Sequence, residues 1–162
     1  LYNVPSRTGV NILPQTAVTL AKNVKNIVAV KEASGNFSAI AQIASLSGGS
    51  VDIYSGNDDQ IVPILSMGGQ GCISVLSNVV PKETVAITDQ FFAGNVAEAA
   101  RLQCQFMPLI RSLFCESNPI PVKAAMSALG FCENYLRLPL VPMEQDHYET
   151  MLQRMRALGL SV

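Results

Sequence analysis

The sequence contains no tryptophan and a single histidine, His147, and only 6% of its 162 residues are aromatic. Nucleic-acid surfaces combine stacking rings with a basic stripe. Here 11 Lys and Arg stand against 12 Asp and Glu, a net charge of −1, with no basic cluster, so no nucleic-acid partner is expected. Charged residues make up only 14% of the chain, against about 25% in ordinary globular domains. A chain so short of solvating charge either buries much of its surface in partners or holds only part of its fold. No apolar run approaches the ~20 residues of a membrane-spanning helix, so no membrane partner is expected. Cys72, Cys104, Cys115 and Cys132 show no CxxC or Cys/His spacing. They are read as reduced thiols, mostly filling the core of a cytoplasmic protein. His147 lies in a polar helical stretch, is expected at the surface without a partner, and no metal site is expected. The start, Leu1-Tyr2-Asn3, has no initiating methionine and none of the features of a signal peptide; it is read as a cut or processing site.

What the chain does contain is apolar residues, 49% of the total, and one stretch around which the rest is arranged. Ile27-Val28-Ala29-Val30 is a short apolar run without a 3.6-residue period. It reads as a parallel-sheet strand buried on both faces, with Lys31 and Glu32 at its end. A low-dielectric site disfavours an ammonium, and a neutral lysine amine is a nucleophile suited to forming a Schiff base with a carbonyl.

Around that strand, helices and strands alternate. Residues 1–9 read as a loop punctuated by Pro5 and Gly9, beginning at the end of a strand whose body is absent. Gln15–Lys22 and Phe37–Leu46 read as helices, Val51–Ser55 as a strand, Asp59–Ser66 as a helix capped by Asn57 or Asp58, and Cys72–Val75 as a strand. The glycine-rich 68–71 segment follows a helix and precedes a strand, the wrong order for a phosphate-binding loop; it is read as a helix stop with close backbone packing. Short βα units of this kind build a parallel sheet. The remainder is helical: Lys82–Phe92, Val96–Phe114 with a kink expected at Pro108, Pro119–Leu129 capped by Asn118, and Glu144–Leu158, with Arg137–Pro142 extended.

Parallel βα sheets bind ligands at the carboxyl ends of their strands. Those ends carry Tyr2 with Arg7, Lys31 with Glu32, Gly56 with Asn57 and Asp58, and Ser74. A phenol moves protons, a guanidinium grips a carboxylate with paired hydrogen bonds, and an amine takes a ketone. The set suits a 2-oxo acid. Each member also has a purely structural reading: Lys31 capping its strand in water, Tyr2 packing on a rim, Arg7 solvated in a turn, Gly56 serving the turn alone.

At these residues the sequence resembles the dihydrodipicolinate synthase family, of the pyruvate-dependent class I aldolase group. The matching motifs are YNVPSRTG (Tyr2 to Gly9), VKEASG (Val30 to Gly35), YSGND (Tyr54 to Asp58), GGQGCISV (Gly68 to Val75) and ESNPIPVKAAM (Glu116 to Met126). The resemblance implies an α/β fold: the C-terminal half of a (β/α)8 TIM barrel over residues 1–93, followed by a helical C-terminal domain over 94–162. It makes Lys31 the lysine that forms the imine with pyruvate, and Tyr2 the proton-relay phenol. Arg7 becomes the guanidinium for the aldehyde substrate's carboxylate, and Gly56 and Ile73 line the pyruvate pocket. The implied reaction condenses pyruvate with aspartate semialdehyde in lysine and diaminopimelate biosynthesis. It needs no metal or organic cofactor, and runs in a homotetramer built from dimers.

The family chain is nearly twice as long. The expected partner is therefore an N-terminal segment of the same enzyme, carrying the first strands and the remaining site residues, the isolated chain being inactive. Alone, the chain is expected to expose open sheet edges and inward strand residues such as Ile53, Ile73 and Val75, and not to form a stable soluble monomer. A non-catalytic half-barrel with an assembly role is one alternative. Another pyruvate-dependent aldolase, such as a sialic-acid-type lyase, is the other, and the SRTG setting of Arg7 speaks against it.

Overall fold

A computed structural model describes all 162 residues. The chain divides into two compact units, Leu1–Ser74 with Ile87–Ala100, and Val75–Ala86 with Arg101–Val162.

The first unit is built on four parallel strands in the order β1-β2-β3-β4: Tyr2–Asn3, Ala29–Glu32, Asp52–Ser55 and Gly71–Cys72. The opening loop of the sequence reading is in fact β1 followed by a helical turn, α1 (Pro5–Thr8). A two-residue strand has no periodicity to read. It exists because it pairs with β2, with Lys31 N donating to Leu1 O at 2.7 Å and Ala33 N to Asn3 O at 2.9 Å.

Helix α2 (Pro14–Asn23) starts with proline at its first position, where no amide hydrogen is needed. Helix α3 (Phe37–Ser47) is capped by Asn36, whose side chain accepts from Ala39 N at 3.0 Å, and ends at Gly48 with φ +57°. After β3 comes a 3₁₀ turn, Asp58–Gln60, and then α4 (Ile61–Ser66). The cap position of α4 is Gln60, without a side-chain cap bond, rather than Asn57 or Asp58. Asn57 precedes the 3₁₀ turn without a side-chain cap and instead donates from Nδ2 to Gln60 Oε1 at 3.3 Å. Close packing at the glycine-rich segment is observed: a Cβ on Gly69 would sit 2.7 Å from Ile64 Cγ2 and 2.8 Å from its carbonyl oxygen.

Strand side chains alternate between faces. Val30, Glu32, Ile53 and Ser55 share one face and are buried, where Ile53 joins Val18, Ile40, Ile43 and Ile64 in the helix-covered core. Tyr2, Lys31 and Tyr54 are register partners on the other face and remain exposed or half-buried. Two expectations are thereby corrected. The Lys31 strand is buried on one face rather than both, Ala29 and Lys31 being only half-buried while Val30 and Glu32 are buried, and Ile53 points into the helix-covered core.

Strand β4 is shorter than expected. Ile73 N still donates to Ser55 O at 2.8 Å, but the chain then turns into α5 (Leu76–Val79), a helical turn too short to show a period.

The second unit is helical. Helices α6 (Pro81–Phe92) and α7 (Val96–Leu113) have residues in both units; α8 (Ile120–Ala128) and α9 (Gln145–Ala157) lie in the second. Its core gathers Leu76, Phe106, Leu109, Leu113, Ala125, Met151 and Met155, with Val75 packed against it. Val75 is therefore half-buried here rather than exposed. Helix α7 runs through Pro108. Asn118 does not cap α8: Pro119 holds the cap position, without a side-chain bond, after a cis peptide. No helix is long and apolar enough to cross a membrane.

Candidate active site

Lys31 is the next-to-last residue of β2, half-buried, on the face not covered by helices. The parallel register sets Tyr2 beside it on one flank and Tyr54 on the other. Its Nζ lies 4.1 Å from the centroid of the Tyr2 ring. An amine in that position meets the negative face of the aromatic quadrupole, and the phenol belongs to the same contact pair. Tyr54 was not among the expected site residues; its register with Lys31 is a pairing that a single sequence does not print.

Gly56 follows β3 directly, and its amide donates to Glu32 O at 2.7 Å, carrying the ladder past the strand ends. A Cβ there would lie 2.8 Å from Ala33 Cβ, 3.1 Å from Glu32 O and 3.1 Å from Lys31 Cε. Only glycine fits, and the lysine stem runs through the space a side chain would take. Ile73, one residue past β4, is bonded through its amide to Ser55 and is 49% exposed. Tyr2, Lys31, Gly56 and Ile73 thus stand at or just beyond the carboxyl ends of the four strands. Arg7 is held on α1, the turn after β1, with its side chain exposed.

Beneath this group, on the covered face, lies a polar network that the residue-by-residue reading did not anticipate. Glu32 is 1% exposed and Asn3 2%. Asn3 Nδ2 lies 3.2 and 3.1 Å from the two Glu32 carboxyl oxygens. Ser34 N donates to Glu32 Oε1 at 2.7 Å, and Asn3 Oδ1 accepts from Ile12 N at 3.0 Å. A buried carboxyl is costly unless so partnered. The network ties β1 to β2 at the residues adjoining Tyr2 and Lys31, which sets the two strands' relative height.

Cys72, on β4, is a poor nucleophile: burial, and then the charge of Asp58, push its thiol up to about 11. The other three cysteines are exposed rather than core fillers: Cys104 lies mid-way along α7 on its exposed side, Cys115 just beyond that helix, and Cys132 in the loop after α8. A cleft of about 160 Å³ between α2 and the end of α3 is lined by Gln15, Val18, Thr19, Lys22 and Leu46. Its one cation, Lys22, is engaged with Leu46 O at 3.3 Å, and it contains none of the strand-end residues.

Together, sheet and strand ends define an α/β protein of parallel βα units whose titratable side chains converge where such sheets bind ligands. Residues 1–158 match the Dihydrodipicolinate synthetase family, and the chain belongs to that family. The 4-hydroxy-tetrahydrodipicolinate synthase of Alkaliphilus oremlandii is 53% identical over 156 residues, 96% of this chain and 53% of that protein. The crystal structure of dihydrodipicolinate synthase from Thermotoga maritima superposes with a TM-score of 0.95 at 44% identity, over 99% of this chain and 55% of that one. That of the Acinetobacter baumannii enzyme complexed with pyruvate superposes at 0.94 with 35% identity, over 99% of this chain and 55% of that one. The chain spans about half the length of the curated relatives it matches.

Proposed function

We propose that this chain is the Schiff-base-bearing part of a 4-hydroxy-tetrahydrodipicolinate synthase, condensing pyruvate with aspartate semialdehyde. The observation that carries the reading is the side-by-side placement of Lys31 and Tyr2, with Gly56 leaving space for the lysine stem. Lys31 Nζ attacks the pyruvate ketone and water leaves, giving the imine. Loss of a methyl proton gives the enamine, whose carbon adds to the aldehyde. The semialdehyde's amine then displaces Lys31 as the ring closes, so one water is lost overall. Tyr2 relays the protons, Arg7 holds the aldehyde substrate's carboxylate, and Gly56 and Ile73 line the pyruvate pocket. Pyruvate bound to the Acinetobacter relative supports the choice of keto acid.

The same reading takes residues 1–93 as the second half of a (β/α)8 barrel and 94–162 as a helical domain. It pairs them with an N-terminal segment, within a cytoplasmic homotetramer. The unpaired edges of β1 and β4 and the open face bearing Lys31 favour such a partner.

The test is a condensation assay of the full chain, alone and mixed with the N-terminal half of the Alkaliphilus relative. Turnover of pyruvate with aspartate semialdehyde in the mixture is expected. Cleavage of a sialic acid with no turnover of the semialdehyde would move the chain to the lyase alternative, and assembly without either activity to the non-catalytic one.

A further inference from the structure

The second unit brings together three side chains that the sequence holds far apart. Cys115 lies just beyond α7, Glu116 follows it, and His147 stands in the first turn of α9. The Cys115 sulfur, a Glu116 carboxylate oxygen and a His147 ring nitrogen all lie within 4.8 Å of one another. His147 Nδ1 is 2.8 Å from Glu116 Oε1, so the histidine expected to stand alone is partnered. The same Oε1 accepts from Glu144 N at 3.0 Å. Cys115 Sγ donates to Ser112 O at 3.1 Å. The carboxylate is therefore held at the start of α9, and the thiol at the end of α7, before any ligand arrives.

From this geometry we propose that Cys115, Glu116 and His147 form a zinc site, absent from the expectations drawn from cysteine spacing. Zinc bonds to sulfur, nitrogen and oxygen at about 2.0–2.3 Å with tetrahedral angles, which sets ligand atoms about 3.3–3.8 Å apart. The 2.8 Å pair opens by about half an ångström and the widest spacing closes by about one. Cys115 and His147 are exposed, so both adjust by side-chain rotation alone. The donor set selects the metal. Calcium and magnesium take oxygen ligands, whereas one thiolate, one imidazole and one carboxylate suit zinc. Thiolate and carboxylate together neutralise the dication, the thiol proton passing to solvent. The exposed fourth position takes water.

Arg154 is the opposing charge nearby, and its Nη1 is engaged with Pro108 O at 2.9 Å and Ser112 Oγ at 2.7 Å. Bound zinc fastens the segment after α7 to the first turn of α9, residues 31 apart in sequence, and so stabilises the helical unit.

The experiment titrates zinc chloride into the full chain against a chromophoric chelator, in parallel with cobalt(II) read optically. One zinc per chain is expected, with a thiolate-to-cobalt charge-transfer band in the near ultraviolet. Cys115→Ser and His147→Gln should each weaken zinc at least about 10-fold, the lower end of what losing a mere outer-shell partner costs. Cys104→Ser should leave affinity unchanged. Zinc should raise the melting temperature of the parent chain and not of Cys115→Ser. Unchanged affinity in both ligand variants overturns the proposal, as does absence of stoichiometric zinc. Absence of the cobalt–thiolate band in the parent chain overturns it without recourse to any variant.

Discussion

Gly56 and Lys31 share one space: a Cβ added to the glycine would lie 3.1 Å from Lys31 Cε and 2.8 Å from Ala33 Cβ. Gly56→Ala must therefore shift the lysine stem or the backbone of β2. We expect it to cost roughly 1–3 kcal/mol, the usual penalty of overpacking, and to slow imine formation in the protein that remains folded. Gly69→Ala is the matched control. Its Cβ would meet Ile64 at 2.7 Å, away from the strand ends, so stability should fall with imine formation unchanged. Equal rates of imine formation in both variants would show that Gly56 does not position Lys31.

The Asn3–Glu32 network makes a separate prediction. Asn3→Ala removes the amide that bridges both carboxyl oxygens and the acceptor for Ile12 N. Leaving buried polar groups unpaired costs roughly 1–3 kcal/mol. Urea unfolding should register a loss in that range. A loss indistinguishable from that of an exposed Asn→Ala change, such as Asn23→Ala, would mean that the network contributes little.

The fold around β2, α3 and β3 is legible in the sequence because α3 has a full helical period and each of the three elements is followed by a glycine-containing turn. Gly48 ends α3, and Asn36, part of the Gly35-Asn36 turn, also caps it. What escapes a linear reading is whatever depends on pairing. β1 has two residues and exists only as a ladder partner of Lys31. The face taken by Ile53 follows from register with Val30, since an apolar run does not say which side is covered. The strand-end placement of Tyr2, Lys31, Gly56 and Ile73 is readable because parallel βα order puts those positions there. Asn3, Tyr54 and the Glu116–His147 pair are not, since their partners lie far along the chain.

Cys72 gives a pH prediction. Burial, with Asp58 adding to it, raises its thiol from 9.0 to about 11. Between those values the folded chain keeps a proton that the unfolded chain releases. The contribution to stability is therefore complete below pH 9 and lost as pH rises toward 11. The parent chain should lose stability more steeply across that window than Cys72→Ala. At pH 8, iodoacetamide should label exposed Cys104 and Cys132 well before Cys72. Cys72 labelling as fast as these would contradict the assignment.

Arg7→Lys keeps the charge and loses the planar fork. With Arg7 holding the aldehyde's carboxylate, turnover should fall by one to two orders of magnitude while imine formation from pyruvate is largely preserved. That loss corresponds to about 1.4–2.7 kcal/mol of transition-state stabilisation. Equal loss of both steps would assign Arg7 to the fold or to the pyruvate site.

The central claim is that Lys31 is the amine that takes pyruvate. Incubating the assembled protein with pyruvate and borohydride, followed by peptide mapping, tests it most directly. The account predicts a single reduced pyruvyl adduct on Lys31, and none in Lys31→Ala. An adduct on Lys22, Lys25 or Lys123 with Lys31 unmodified would contradict it.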